Sequence, residues 1–260
     1  ELRMEAYREL LTTHGKKVKL VAVNHVSNAL GTINPVEEMI ALAHAQGAVV
    51  MVDGCQAAPH MEVDVLGMDA DFYAFSAHKM YGPTGIGLLY GKQEILETMP
   101  PFMSGGDMID RVSFEQGTTF AGLPERFEAG TPSIAAGIGF GAAADYILKI
   151  GRARIAAHEN ALLECATERL LAISGSKVYG EAEKKASVLS FGLDGIHAQD
   201  IGTLLDSCGV AIRTGRHCAE PVMHDLGLQG TARASFAIYN GMDDVEAFID
   251  ALEFTLDMFA

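Results

Sequence analysis

The chain has 260 residues, 49% of them hydrophobic, enough to bury the core of one large or two modest domains. Its formal net charge of −15 argues against nucleic acid or an anionic membrane as the principal partner, because both demand basic patches; small molecules and proteins remain. No apolar run approaches the roughly 20 residues of a membrane span and Glu1-Leu2-Arg3 is no signal peptide, so a soluble cytoplasmic protein is expected.

Leu2, Met4, Tyr7, Leu10 and Leu11 recur at helical spacing and predict a helix to about Thr13; with no initiating Met, the chain reads as a fragment. A strand is expected over Val18–Asn24, entered through the solvated run Lys16-Lys17-Val18-Lys19. After a turn-rich loop, Asn34 can cap a helix opened by Pro35, which Glu37 and Glu38 favour through its dipole and Gly47 stops. The apolar run Ala48–Val52 predicts a buried strand that delivers Asp53 at its carboxyl end, where open α/β sheets place ligands. Strand, helix, strand at this spacing implies parallel pairing. Phe72–Phe75 and Ile86–Tyr90 predict two further strands, and between them stand Ser76, His78, Lys79, Gly82, Pro83 and Gly85. Glycine there lets backbone approach a bulky planar ligand.

From Ser104 to Glu128 the rise in Gly, Ser and Thr predicts an extended excursion or hairpin, of the kind that reaches a partner. Pro132 opens a small-residue helix towards Ile150, and Gly151 interrupts it, so the boundary between a domain of residues 1–150 and one of 151–260 is expected there. Beyond lie a helix from Arg152, strands near Val178 and over Val188–Leu193, a helix from Gln199, strands over Val210–Arg213 and Ala232–Phe236, and a helix from Asp243. The alternation is an α/β signature.

The chemistry-bearing residues concentrate in Asp53-Gly-Cys-Gln56, Ser76-Ala-His-Lys79 and Arg213-Thr-Gly-Arg-His-Cys218. Lys79 in its Gly-rich turn reads either as a solvated lysine or as one, partly buried, that bonds an aldehyde. Asp53 either ends a strand or, buried, faces a cation such as a pyridinium nitrogen; Ser76 and His78 cap the turn or hold phosphate oxygens. A lysine, an acid and phosphate donors are the requirements of pyridoxal phosphate (PLP).

Of the four cysteines, none in a CxxC pair, Cys218 lies in a polar, basic loop suited to presenting a nucleophilic thiol. Cys165 and Cys208 read as packing residues, and no disulfide framework or metal site is expected. Arg213 and Arg233 emerge from apolar strands, where an arginine needs an anion: a substrate carboxylate, or for Arg213 equally a structural salt bridge. Thr131 can cap the helix opened by Pro132. His217 stays open, with assistance to proton transfer beside Cys218 the lesser of its readings, and His25 and His197 read as loop or surface histidines rather than ligands.

In residues and order these segments resemble the cysteine desulfurases of the class V aminotransferase family, and the short loop from Arg213-Thr-Gly to Cys218 resembles the group II, SufS-like branch. The resemblance runs almost end to end. It implies a PLP-dependent transferase of fold type I, aspartate-aminotransferase-like, with a mostly parallel sheet in a large domain and a small α/β C-terminal domain carrying the cysteine loop. It further implies PLP on Lys79, Asp53 at the ring nitrogen, Gln56 at the ring hydroxyl, Ser76 and His78 on the phosphate, and Thr131 reaching the phosphate of the neighbouring subunit in a homodimer with a shared site. Arg233 and Asn28 would bind the carboxylate of L-cysteine, with Arg213 supporting less directly. Cys218 would take the sulfur as a persulfide, release alanine, and pass the sulfur to a SufE- or SufU-like acceptor for iron-sulfur cluster assembly. Cys55 stands where the family commonly has alanine and is assigned no role. The family's upstream phosphate-binding turn and ring-stacking histidine have no counterpart in this sequence. Three alternatives stay open: cleavage of L-selenocysteine, another PLP lyase of kynureninase type with Cys218 incidental, and a scaffold that has lost cofactor chemistry.

Overall fold

Short apolar runs separated by amphipathic stretches build two four-stranded sheets and a hairpin in the computed structural model, which describes residues 2–259. Helix α1 (Met4–His14) leads to β1 (Leu20–Asn24), α2 (Val36–His44), β2 (Val49–Asp53), β3 (Phe72–Ser76), β4 (Gly87–Gly91) and the short α3 (Gln93–Leu96). The first sheet has the order β1-β2-β3-β4. Its first two pairings are parallel, β1 to β2 through α2 and β2 to β3 through a crossover of turns over 54–71, and β4 returns antiparallel to β3 across the turn that holds Lys79. Helix α2 packs Val36, Ile40 and Ala43 onto Val50 and Val52 of β2, the alternate residues that face inwards.

The expected excursion is a hairpin, β5 (Ile109–Ser113) with β6 (Gly117–Phe120). Helices α4 (Ile134–Ile150) and α5 (Arg152–Leu171) meet at a bend of 76°, where Gly151 takes φ +94°, a conformation that L side chains rarely adopt. Among the described residues no single helix is long and apolar enough to cross a membrane.

The second sheet, β7-β8-β10-β9, is antiparallel throughout and comprises β7 (Ser176–Tyr179), β8 (Val188–Leu193), β9 (Arg213–Gly215) and β10 (Thr231–Ser235). Helices α5, α6 (Ala198–Ser207) and α8 (Met242–Phe259) cover it, and α7 (Glu220–Asp225) follows the β9 loop. At the centre of this core Phe191 and Phe248 meet edge to face, centroids 5.5 Å apart. Phe191→Ala is expected to cost about 3–5 kcal/mol in urea unfolding through lost transfer energy and an unfilled cavity. A loss under about 1 kcal/mol would show that this core collapses around the deletion.

Local reading fails at two element ends. The strand expected over Val210–Arg213 is displaced to Arg213–Gly215, because its pairing with β10 selects the register, not its own apolar residues. Asn34 does not cap α2: its Nδ2 donates to Asn24 O at 2.8 Å and Asn24 Oδ1 at 2.9 Å, so it ties the loop to β1 instead.

Candidate active site

The carboxyl end of β2 delivers Asp53 and that of β3 delivers Ser76, after which Ala77–Lys79 forms a single 3-10 turn. Asp53 is not buried, contrary to expectation: as the last residue of its strand it stands beyond the packed layer, and its Oδ1 accepts from Cys55 N at 2.9 Å. Lys79 and His78 are likewise exposed. Gly54 is required by close approach, since a Cβ there would lie 1.9 Å from the Tyr73 ring. Beneath Asp53, Tyr73 and His25 are both buried, with His25 Nδ1 at 3.0 Å from the Tyr73 hydroxyl. His25, in the bend just after β1, is therefore a loop histidine but not a surface one, and burial lowers its pKa. Cys55 Sγ lies 3.8 Å from Ser76 Oγ, and its thiol is pushed up by burial and then by Asp53.

A cavity of about 350 Å³ separates the two sheets and brings together Gln56, His78 and Lys79 from the first and Arg233 from the second. His60, Tyr81 and Ser187 also line it. Sequence spacing singled out none of these three, although His60 stands only four residues beyond Gln56 and Tyr81 two beyond Lys79. Asp53, Ser76, Asn28, Arg213 and Cys218 lie outside the lining. Thr131 is exposed on the segment before α4, away from the cavity, and does not cap the helix, whose N-cap position is Ser133.

Cys218 is exposed, and the loop that presents it is tied down at several points. Asn28 Nδ2 donates to His217 O at 2.6 Å, Arg233 Nη1 donates to Asn28 O at 2.6 Å, and Arg213 Nη2 reaches Cys218 Sγ at 3.3 Å. His217 and Cys218 both take left-handed backbone, φ +53° and +58°, which is uncommon for side-chain-bearing residues and turns the thiol outwards from the strand. His217 does not face the thiol as a free acid. It is 2% exposed, with Nε2 at 2.9 Å from Thr231 Oγ1. Burial, then the charge of Arg233, lowers its pKa to about 4.

A histidine whose folded pKa lies below its unfolded value stabilises the fold above the unfolded pKa, and that stability is lost as pH falls towards the folded one. Between roughly pH 6.5 and 4 the fold should therefore lose up to about 3 kcal/mol through His217. His217→Asn, which accepts left-handed backbone, should remove that part of the decline in urea midpoint; parallel curves for the two proteins would sink the assignment.

In the β9–β10 register Arg213 stands directly opposite Arg233. Like charges opposed across a ladder repel, and Arg233 Nε is sealed from solvent without a partner. Among the described residues neither guanidinium contacts a carboxylate, so the salt bridge considered for Arg213 does not form. The arrangement is built to receive an anion.

The fold and this site define a fold type I transferase of the aminotransferase class-V family, to which the chain belongs: the family model matches residues 1–248. Among its relatives, the probable cysteine desulfurase of Vibrio cholerae is 46% identical over 258 residues, covering 99% of this chain and 63% of that protein. The cysteine desulfurase of Haloferax volcanii is 46% identical over 260 residues, covering 100% of this chain and 60% of that protein. The crystal structure of the Escherichia coli cysteine desulfurase CsdA superposes with a TM-score of 0.92 at 40% identity, over 96% of this chain and 62% of that one. The chain thus spans about 60% of the length of the curated relatives it matches.

Proposed function

We propose that the protein to which this chain belongs is a PLP-dependent cysteine desulfurase that converts L-cysteine to L-alanine and leaves the sulfur as a persulfide on Cys218. The observation that carries this reading is the opposed pair Arg213 and Arg233 beside the presented Cys218 thiol, with Lys79 in the cavity that Arg233 lines. An anion site, a lysine and a nucleophilic sulfur are the three groups such a reaction needs around its substrate.

Of the residues proposed to hold the cofactor, Gln56, His78 and Lys79 line the cavity, which supports a cofactor there. Lys79 Nζ would bond its aldehyde, Asp53 would face the ring nitrogen, Gln56 the ring hydroxyl, and Ser76 and His78 the phosphate, while Thr131 would serve the phosphate of a neighbouring subunit. PLP, when bound, supplies an electron sink for the substrate's α-carbon. Arg233, steadied by Asn28, holds the α-carboxylate, and Arg213 adds its charge. Lys79 Nζ takes the α-proton and returns a proton to carbon. Cys218 Sγ attacks the substrate sulfur: a sulfur–sulfur bond forms, the substrate's carbon–sulfur bond breaks, and its electron pair ends as a C–H bond of alanine. No external oxidant is needed.

Residues 1–150 would then belong to the cofactor-binding domain and 151–260 to the domain carrying the thiol. An exposed Cys218 on a short, tethered loop has little reach, which suits a SufE- or SufU-like acceptor approaching the site, in the cytoplasm, for iron-sulfur cluster assembly. Peptide-resolved mass spectrometry after incubation with PLP and L-cysteine, with an alkylating trap and no reductant, tests the central claim. One added sulfur on the Cys218 peptide is expected. Its absence from a protein that retains PLP on Lys79 would overturn the sulfur-transfer step and favour another PLP lyase.

A further inference from the structure

Behind the cavity lies a polar cluster that the transfer chemistry does not use. Glu159, on α5, is 2% exposed. Its Oε2 accepts from His60 Nδ1 at 2.8 Å and lies 3.3 Å from Ser187 Oγ, while its Oε1 is sealed from solvent without a hydrogen bond. The Tyr81 hydroxyl is sealed and unpartnered too; burial, then the charge of Glu159, pushes its pKa up to about 12.

Each neighbour of Glu159 belongs to a segment that carries a site residue. His60 ends the loop that starts at Asp53 and Gln56. Tyr81 lies two residues beyond Lys79, holds φ +61°, and packs its ring edge-on against Tyr239 at 6.2 Å. Ser187 donates to Phe236 O at 2.7 Å, just past the end of β10, the strand of Arg233. A carboxylate at this depth costs several kcal/mol to desolvate, and an apolar residue of similar volume packs between a helix and a sheet with less penalty. Its contacts run to the loop that follows β2 and to the residue just before β8, so one side chain touches segments from both sheets.

We propose that Glu159 is a positioning residue: held by His60 on one side, in contact with Ser187 on the other and with its charge towards the Tyr81 hydroxyl, it sets the distance between the Lys79 turn and the Arg233 strand, and with it the placement of the substrate carboxylate. The inference rests on the roles proposed above for Lys79 and Arg233, and its test separates the two. Glu159→Ala and Glu159→Gln are made in the full-length protein. Hydrogen exchange of peptides covering residues 77–82 and 231–237 needs neither cofactor nor turnover, and KM and kcat for L-cysteine are measured alongside.

In E159A, exchange at both peptides should quicken about tenfold and KM rise about tenfold, with kcat within about threefold of the parent. E159Q keeps an oxygen for His60 and adds an amide facing Tyr81, so it should restore both readouts to within about threefold. Unchanged exchange or unchanged KM in E159A overturns the proposal, as does an E159Q protein impaired like E159A. If E159A does not fold, His60→Ala replaces it: losing the hydrogen bond that holds Glu159 should quicken exchange at 231–237, and unchanged exchange there overturns the proposal. A parent protein without desulfurase activity refutes the proposed function instead, and the exchange result still decides on Glu159.

Discussion

Cys218→Ala is expected to lower alanine production from L-cysteine by about a thousandfold or more while leaving the fold intact. The loss follows because no other described thiol stands beside the arginine pair: Cys165 packs against the second core, Cys208 caps α6, and Cys55 lies by Ser76. The fold should survive because Cys218 is exposed and buries little that alanine would forfeit. Alanine also bears the same left-handed backbone cost as cysteine at φ +58°, so the loop conformation is not newly strained. The assay is alanine release together with thermal unfolding. A variant that still releases alanine from L-cysteine would make the thiol incidental. One that retains cleavage of L-selenocysteine alone would show that both substrates use one site, selenium needing less help to leave.

Lys79→Ala should abolish reductive trapping of PLP on the peptide containing residue 79 and lower turnover by about a thousandfold or more. A lysine is needed twice, to bond the aldehyde and to move the α-proton, and alanine does neither. Its exposed position predicts no large change in stability, because little apolar area is lost. Borohydride reduction followed by peptide mass mapping reads the first effect, and alanine release the second. PLP trapped on another lysine of the parent protein would displace the assignment, and with it the roles given to Ser76 and His78.

Lys79 and Cys218 were legible locally, because each sits in a turn directly after a strand and the flanking glycines and polar residues mark both turns. Asp53 was legible by place but not by environment: the apolar run before it located the strand end, yet only the assembled sheet shows that the side chain stands clear of the packed layer. The burial of His25, a loop residue, is not legible locally because its partner, Tyr73, lies 48 residues away on β3.

Local pattern by itself determined most of the strands, the hairpin, the break at Gly151 and the turns that carry Lys79 and Cys218. These depend on hydrophobic period and on glycine's backbone freedom, which act over a few residues. The tertiary structure alone decided the register that sets Arg213 opposite Arg233, the burial of His217 and the convergence on Glu159, whose contact with His60 spans 99 residues. Such contacts follow from how finished elements pack against one another, and a buried polar group has meaning only once its partners have been brought to it.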